Sequence, residues 1–126
     1  MKCPFCDPEP DRFVASNDHA VAVRDGYPVS EGHTLVVPRK HAASLFELSH
    51  EEQSAVWVLA REIRNRLQAE LSPDGFNIGL NDGETAGQTV PHAHVHVIPR
   101  YRGDVPDPRG GVRWIIPDRA VYWTDR

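Results

Sequence analysis

The sequence lacks any apolar run long enough to cross a membrane, and its first residues lack the hydrophobic stretch of a secretory signal. It also has no excess of positive charge, because 14 basic residues face 18 acidic ones and the formal net charge is −4 at pH 7. A long nucleic acid would find no basic surface here, although a short nucleotide in a local pocket is compatible with this charge. These absences predict a cytoplasmic protein whose partners include neither a membrane nor a long nucleic acid.

Cysteine is scarce, with two residues that lie close together in the segment Cys3-Pro4-Phe5-Cys6. A disulfide between them would close a very small loop and would constrain little of the unfolded chain. In a reducing compartment, a CxxC pair more often indicates metal binding or redox chemistry. A thioredoxin-like motif should follow a strand and begin a helix, and this one stands at the start of the chain. The pair alone supplies half of a metal site, and a reduced pair without metal is the alternative.

The rest of the composition is that of one globular domain, with 40% hydrophobic and 25% charged residues and no repeat or low-complexity segment. Short apolar segments bounded by turn residues predict strands at residues 13–15, 19–24, 34–38 and 76–80. Ser49 and Glu52 have the spacing of a capping box, and the apolar residues that follow recur at helical spacing. Strands joined by short turns, with one long helix, indicate an α+β fold with an antiparallel sheet.

Three histidines stand at alternate positions in the segment PHAHVHVIPR, at His92, His94 and His96. A period of two is typical of a β-strand, in which all three imidazoles would project from the same face. Buried imidazoles need polar partners, so core packing gives no reason for three neighbours. Three interpretations are open: a histidine-rich structural strand, a catalytic zinc held by the three imidazoles, and nucleophilic catalysis by one of them.

The residues ahead of this segment favour nucleophilic catalysis on a phosphate. Gly87, Gln88 and Thr89 lie just before it, and such residues can direct backbone N–H groups and a hydroxyl at one anion. The turn that begins at Asn81 would bring an amide side chain to the same end of the sheet. A neutral imidazole is nucleophilic near pH 7, since its unperturbed pKa is about 6.5. This scheme needs no metal at the reaction centre.

Together these blocks resemble the histidine triad (HIT) nucleotide-binding family, and within it the bacterial zinc-containing branch of diadenosine polyphosphate hydrolases. The resemblance is carried by HAHVH at residues 92–96, by GQTV before it, by IPR after it and by GHTLVVP at residues 32–38. It runs from Cys3 to about Tyr101. It implies a HIT-like fold, with a five-stranded antiparallel sheet, one long helix and a short helix. It further implies a single domain over residues 1–126, with a core at about 1–101 and a C-terminal tail at 102–126 that packs on the body or on a dimer partner.

The resemblance implies a role for each matching position. His94 would be the nucleophile that attacks the α-phosphorus and forms a nucleotidyl-histidine intermediate. His96 would bind phosphate oxygens or the bridging oxygen, and His33 would orient the imidazoles, so that these three form the catalytic set. Asp25 would accept hydrogen bonds from the ribose hydroxyls. The other substrate-binding positions would contact the phosphates, and they are Asn81, Gly87, Gln88 and Thr89.

The resemblance also implies a complete metal site. Some bacterial members of the family carry a Cys2His2 zinc, whose ligands are an N-terminal CxxC, a histidine after the upstream strand and the first histidine of the triad. The matching residues here are Cys3, Cys6, His41 and His92. Cys2His2 is a closed tetrahedral set that is typical of structural zinc, one ion per chain, which would fix the N-terminus onto the sheet.

The implied activity is hydrolysis of the α-phosphate linkage of a dinucleoside polyphosphate, such as diadenosine tetraphosphate, by a cytoplasmic homodimer. Two alternatives keep His94 as the nucleophile: a nucleoside phosphoramidate hydrolase, and a dinucleotide phosphorylase that uses phosphate in place of water. A third alternative is a nucleotide-binding module without turnover.

Overall fold

A computed structural model describes residues 3–124, in which five strands form one antiparallel sheet in the order β1-β2-β3-β5-β4. One long helix, α1, packs on this sheet and a short helix, α2, lies in the C-terminal tail. The predicted α+β fold is confirmed, and four strands begin and end within one residue of their expected bounds. The elements are β1 Phe13–Ser16, β2 Ala20–Arg24, β3 Thr34–Pro38, α1 His50–Leu71, β4 Gly75–Gly79, β5 Val95–Arg100 and α2 Pro117–Ala120.

Helix α1 begins at the predicted capping box. The Ser49 hydroxyl accepts a hydrogen bond from the Glu52 N–H at 3.1 Å, and the Glu52 carboxylate accepts one from the Ser49 N–H at 2.9 Å. The helix ends at Ser72, whose φ of 49° is left-handed and whose N–H donates to the Gln68 carbonyl. Its buried face packs against β2, β3 and β5 to form the main core, and it consists of Val56, Leu59, Ala60, Ile63 and Leu67.

The sheet separates this core from the face that carries the site. On β5, Val95 and Val97 belong to the core beneath α1, whereas His96 alternates onto the other face. His96 pairs in register with Leu35 of β3. Leu35 belongs to a second, smaller apolar cluster, which consists of Val23, Leu35 and Val37.

The histidine strand begins later than its alternation predicts. Strand β5 starts at Val95, so His92 and His94 precede it, and the prediction of a strand over all three histidines is wrong for its first part. Between His92 and His94 the backbone is hydrogen-bonded to a loop rather than to a strand, since the Ala93 N–H donates to the Ala42 carbonyl at 2.8 Å. The His92 ring also approaches the Pro38 carbonyl at 2.8 Å, which turns this imidazole away from the other two.

The C-terminal tail is described as far as residue 124. Residues 1, 2, 125 and 126 of the predicted domain lie outside the described part. The tail contains a 3-10 turn at Gly111–Ile115 followed by α2. Within it the Trp114 indole donates to the Arg109 carbonyl at 2.8 Å, and the Arg113 guanidinium donates to the Ala120 carbonyl at 2.9 Å. No helix among residues 3–124 combines the length and the apolar character that a membrane span requires.

The first prediction concerns Gly32, which precedes His33 and has a φ of +93°. A Cβ here would lie 2.7 Å from Leu71 Cδ1 and 3.0 Å from Leu67 Cδ2. We expect Gly32→Ala to lower the free energy of unfolding by about 2–4 kcal/mol, because backbone strain adds to overpacking beneath α1. Gly83→Ala is the matched control, since φ there is +100° but a Cβ meets no atom within 4 Å. It should cost about 1–2 kcal/mol, and equal losses in urea denaturation would contradict the packing argument.

Candidate functional site

His94 is held in one tautomer by the backbone. Its Nδ1 lies 2.9 Å from the His92 carbonyl oxygen, which accepts only, so Nδ1 carries the proton and Nε2 carries the lone pair. The side chain is 9% exposed and lines a cavity of about 860 Å³ on the sheet face opposite α1. His94 therefore presents a nucleophilic nitrogen to a cavity large enough for a nucleotide.

A second chain of hydrogen bonds fixes the protons of His33 and His96. The Val29 N–H donates to His33 Nδ1 at 3.1 Å, so the His33 proton is on Nε2. His33 Nε2 lies 2.9 Å from His96 Nδ1, which must then accept and leave the His96 proton on Nε2. The same His33 nitrogen lies 3.3 Å from Asp25 Oδ2. His96 thus offers an N–H donor beside the nucleophile, with the rings of His94 and His96 5.2 Å apart.

Burial keeps these imidazoles neutral. Burial, with smaller contributions from the neighbouring His94 and His33, lowers the pKa of His96 to about 4. Burial also lowers the pKa of His33, against the opposing effect of the Asp25 carboxylate. At neutral pH, His33 and His96 therefore act through lone pairs and neutral N–H donors rather than through imidazolium charge.

The other expected substrate-binding positions lie around the same cavity, with one difference. Asp25, Asn81, Gly87 and Thr89 all line it together with the imidazoles of His33, His94 and His96. Gln88 is the expected position that does not line it. Gly87 has a φ of +102°, so this turn needs glycine where the chain approaches the cavity. The carboxylate of Asp25 is fixed from a second side, since Oδ1 accepts from the Tyr27 N–H at 2.8 Å.

The side chain of Gln88 is hydrogen-bonded to backbone groups of its own loop and of the segment that follows β3. Its Oε1 accepts from the Gly83 N–H at 2.9 Å, and its Nε2 donates to the Ala43 and Val90 carbonyls at 2.8 and 3.0 Å. The amide thus satisfies three backbone groups. This side chain holds the loop in place, and from this segment it is Gly87 and Thr89 that line the cavity.

The four expected metal ligands converge at one place. Their donor atoms all lie within 4.8 Å of one another. Cys6 Sγ is 3.1 Å from His41 Nδ1, Cys3 Sγ is 3.4 Å from His92 Nδ1, and the two Nδ1 atoms are 3.2 Å apart. A tetrahedral zinc with nitrogen and sulfur ligands places its donors about 3.3–3.7 Å apart. The donor set is therefore compatible with zinc in both chemistry and spacing.

A hydrogen bond from one ligand to the backbone supports the same assignment. His92 Nε2 lies 2.8 Å from the Pro38 carbonyl, so Nε2 carries the proton and the Nδ1 lone pair faces the cysteines. A zinc held by His92, His94 and His96 does not fit, because both ring nitrogens of His92 are engaged elsewhere, Nε2 with the Pro38 carbonyl and Nδ1 with the thiols. The nearby group of Asp25, His33 and His96 does not fit a metal either, since His33 accepts at Nδ1 and donates at Nε2.

Two participants were not assigned from the sequence. The Val29 N–H fixes the tautomers of His33 and His96, and a backbone amide leaves no mark on residue identity. The second is Phe5, whose ring lies 4.9 Å from that of His94. Its position between two cysteines gives no signal that it reaches the nucleophile.

The second prediction follows from the low pKa of His96. Between about pH 6.5 and about pH 4 the unfolded chain binds a proton at this imidazole and the folded protein does not, so stability falls as the pH falls through this window. Above it the imidazole is neutral in both states and its contribution is constant. We expect His96→Asn to lose less stability than the wild type between pH 6.5 and 4.5 in urea titrations. Parallel curves for the two proteins would refute the assignment.

Comparison with known proteins places these features in a family. The family model described as the HIT domain matches residues 8–103. An uncharacterised HIT-like protein from Mycoplasma genitalium is 41% identical over 103 residues, which are 79% of this chain and 73% of the relative. The asymmetrical bis(5'-nucleosyl)-tetraphosphatase of Schizosaccharomyces pombe is 39% identical over 77 residues, which are 61% of this chain and 42% of that protein.

A solved structure agrees with the same assignment. The crystal structure of a Zn-bound histidine triad family protein from Mycobacterium smegmatis superimposes with a TM-score of 0.75 and 33% sequence identity, covering 85% of each chain. The sequence resemblance and the fold thus agree over most of the chain, and the chain belongs to the HIT domain family.

Proposed function

We propose that the protein hydrolyses the α-phosphate linkage of dinucleoside polyphosphates, such as diadenosine tetraphosphate, through a nucleotidyl intermediate on His94. The observation that carries this proposal is the fixed tautomer of His94, whose Nδ1–H is bonded to the His92 carbonyl while Nε2 remains nucleophilic beside the cavity. The Schizosaccharomyces pombe relative, named as an asymmetrical tetraphosphatase, supports the substrate class.

The reaction proceeds in two displacements at the α-phosphorus. In the first, the Nε2 lone pair of His94 forms an N–P bond while the bond from phosphorus to the bridging oxygen breaks. The leaving group departs as a polyphosphate anion, so the neutral His96 Nε2–H stabilises it by a hydrogen bond without transferring its proton. The His92 carbonyl stabilises the positive charge that develops on the substituted imidazole.

In the second displacement, water attacks the same phosphorus and the N–P bond breaks. The electron pair of the N–P bond returns to His94 Nε2. The water oxygen remains on the phosphorus of the nucleotide, and the surplus proton passes to solvent. Asp25 would hold the ribose hydroxyls, while Asn81, Thr89 and the backbone of Gly87 and Gln88 would hold the α-phosphate.

We also propose that Cys3, Cys6, His41 and His92 hold a structural zinc. This group supplies no chemistry to the displacement, because a closed four-ligand set has no open position for substrate. The spacing of the four donors and the Zn-bound relative from Mycobacterium smegmatis support the assignment. Zinc-binding thiols stay reduced in the cytoplasm, which is the location that we propose.

A homodimer is the proposed assembly. Strand β4 is an edge strand of the sheet, and Trp57 and Val58 of α1 and Ile78 of β4 remain 41%, 64% and 46% exposed. A sheet edge and exposed large apolar side chains are each typical of surfaces that another chain covers. Sedimentation equilibrium at micromolar concentration tests this, and a monomer would contradict it.

Product analysis tests the reaction directly. We expect the zinc-loaded protein to convert diadenosine tetraphosphate to AMP and ATP in the absence of added phosphate. ADP and ATP formed only with added phosphate would instead identify a phosphorylase. Turnover of a nucleoside phosphoramidate without turnover of the dinucleotide would identify a phosphoramidate hydrolase. Nucleotide binding without turnover of either substrate would identify a binding module.

The third prediction concerns the nucleophile. His94→Ala should lower turnover at least about a thousandfold and retain AMP binding, because the lost group forms the covalent bond but does not hold the ribose. The matched control is His50→Ala, the same change at an exposed position in the first turn of α1, which should keep wild-type turnover. Turnover by His94→Ala near the wild-type rate would refute the covalent mechanism.

The fourth prediction concerns metal removal. A chelator, or Cys6→Ser, should lower the Tm by more than about 10 °C, because the N-terminal ligands would no longer be tied to His41 and His92. Turnover at saturating dinucleotide should then decline in parallel with the folded fraction. If the chelated protein keeps its Tm and loses this saturated turnover at once, the zinc is catalytic and the structural assignment fails.

A further inference from the structure

Phe5 connects the metal cluster to the nucleophile. It stands between Cys3 and Cys6, two of the four proposed ligands. Its ring lies 4.9 Å from that of His94, tilted by 58°, and 5.9 Å from that of His92, edge to face. One side chain therefore contacts both a metal ligand and the reacting imidazole.

The loop that carries Phe5 forms one wall of the cavity. Cys3, Pro4 and Phe5 line it together with His33, His94 and His96. Phe5 also packs against the apolar cluster that contains Val23 and Leu35, which line the same cavity, so an apolar patch lies beside the imidazoles. An aromatic wall beside such a cavity is suited to the flat face of a nucleobase.

The position of this wall depends on the metal ligands. The first regular element of the described chain is the 3-10 turn at Pro10–Arg12, and the first strand starts at Phe13, so the loop at residues 3–9 has no strand pairing among the described residues. The thiols of Cys3 and Cys6 meet the imidazoles of His41 and His92 at 3.1–3.5 Å. An ion bound by these four donors would hold Cys3 and Cys6, which flank Phe5, against the segments that carry His41 and His92.

We propose that occupancy of the metal centre sets the affinity of the cavity for nucleotide, through the placement of Phe5 against His94. Phe5 acts as a positioning residue. The nature of the ligand rests on the proposed nucleotide function. Because linkage is reciprocal, a nucleotide that binds better to the metal-loaded protein must strengthen metal binding by the same factor. The proposal can thus be tested on the metal rather than on turnover.

The experiment measures apparent zinc affinity by competition with a chromogenic chelator, with and without saturating AMP. In the wild-type protein, AMP should raise the zinc affinity about 5- to 150-fold, the range of ordinary coupling between two sites. In Phe5→Ala the increase should be less than about twofold. Phe13→Ala is the matched control, since Phe13 is an exposed phenylalanine of β1 that does not line the cavity, and it should behave as the wild type.

A spectroscopic measurement keeps the test independent of the alanine variant. With Co²⁺ in place of zinc, AMP should shift the visible absorption of the cysteine-ligated ion in the wild type, and Phe5→Leu, which keeps an apolar side chain, should reduce this shift. If AMP binds but leaves both zinc affinity and the cobalt spectrum unchanged, the coupling does not exist. If Phe5→Ala retains full coupling, Phe5 is not its carrier. If AMP does not bind the zinc-loaded protein at all, the proposed function itself fails.

Discussion

The arrangement of this protein depends on one residue, His92, which is held from both its side chain and its backbone. Its imidazole is fully buried, with Nε2 at the Pro38 carbonyl and Nδ1 among the thiols and the His41 imidazole of the proposed metal site. Its own carbonyl accepts the Nδ1–H of His94. A rotation of this peptide would disturb the metal donors and the nucleophile together. The local stability of the N-terminal loop and the proton position of the reacting imidazole are therefore parts of the same constraint.

The sheet gives each of its faces a separate task. Toward α1, β5 presents valines that pack with the helix, and this packing needs only apolar shape. On the other face, the same strand carries His96, and the neighbouring β3 carries Leu35 beneath the cavity. Since alternate residues point to opposite faces, a rigid core directly supports the hydrogen bonds of the site. The geometry of the site is thus set in part by β5, whose stability comes from its packing against α1 on the opposite face.

Much of the fold could be predicted because its signals are local. The capping box of Ser49 and Glu52, the apolar face of α1 and the buried run of β3 each depend on a few neighbouring residues. The residues that lie together around the cavity and in the Cys/His cluster could be named from the sequence, because imidazoles, thiols and a carboxylate are distinctive. The details that differed depend on long-range partners. The late start of β5 follows from a bond between Ala93 and Ala42, and the side chain of Gln88 is taken by the carbonyl of Ala43. No pattern around residues 88–93 reports on such partners.

The chain of proton positions that ends at His96 starts at the N–H of Val29. That group belongs to the backbone, so its direction is independent of which side chain stands at position 29, and every amino acid except proline supplies it. Val29 is itself 72% exposed, which leaves its side chain open to replacement. This backbone contribution to the tautomers is therefore robust to sequence drift, while a single proline at this surface position would remove the donor. If the side chain at position 29 varied among related sequences, an alignment would not reveal this role, although the backbone N–H would still donate to His33.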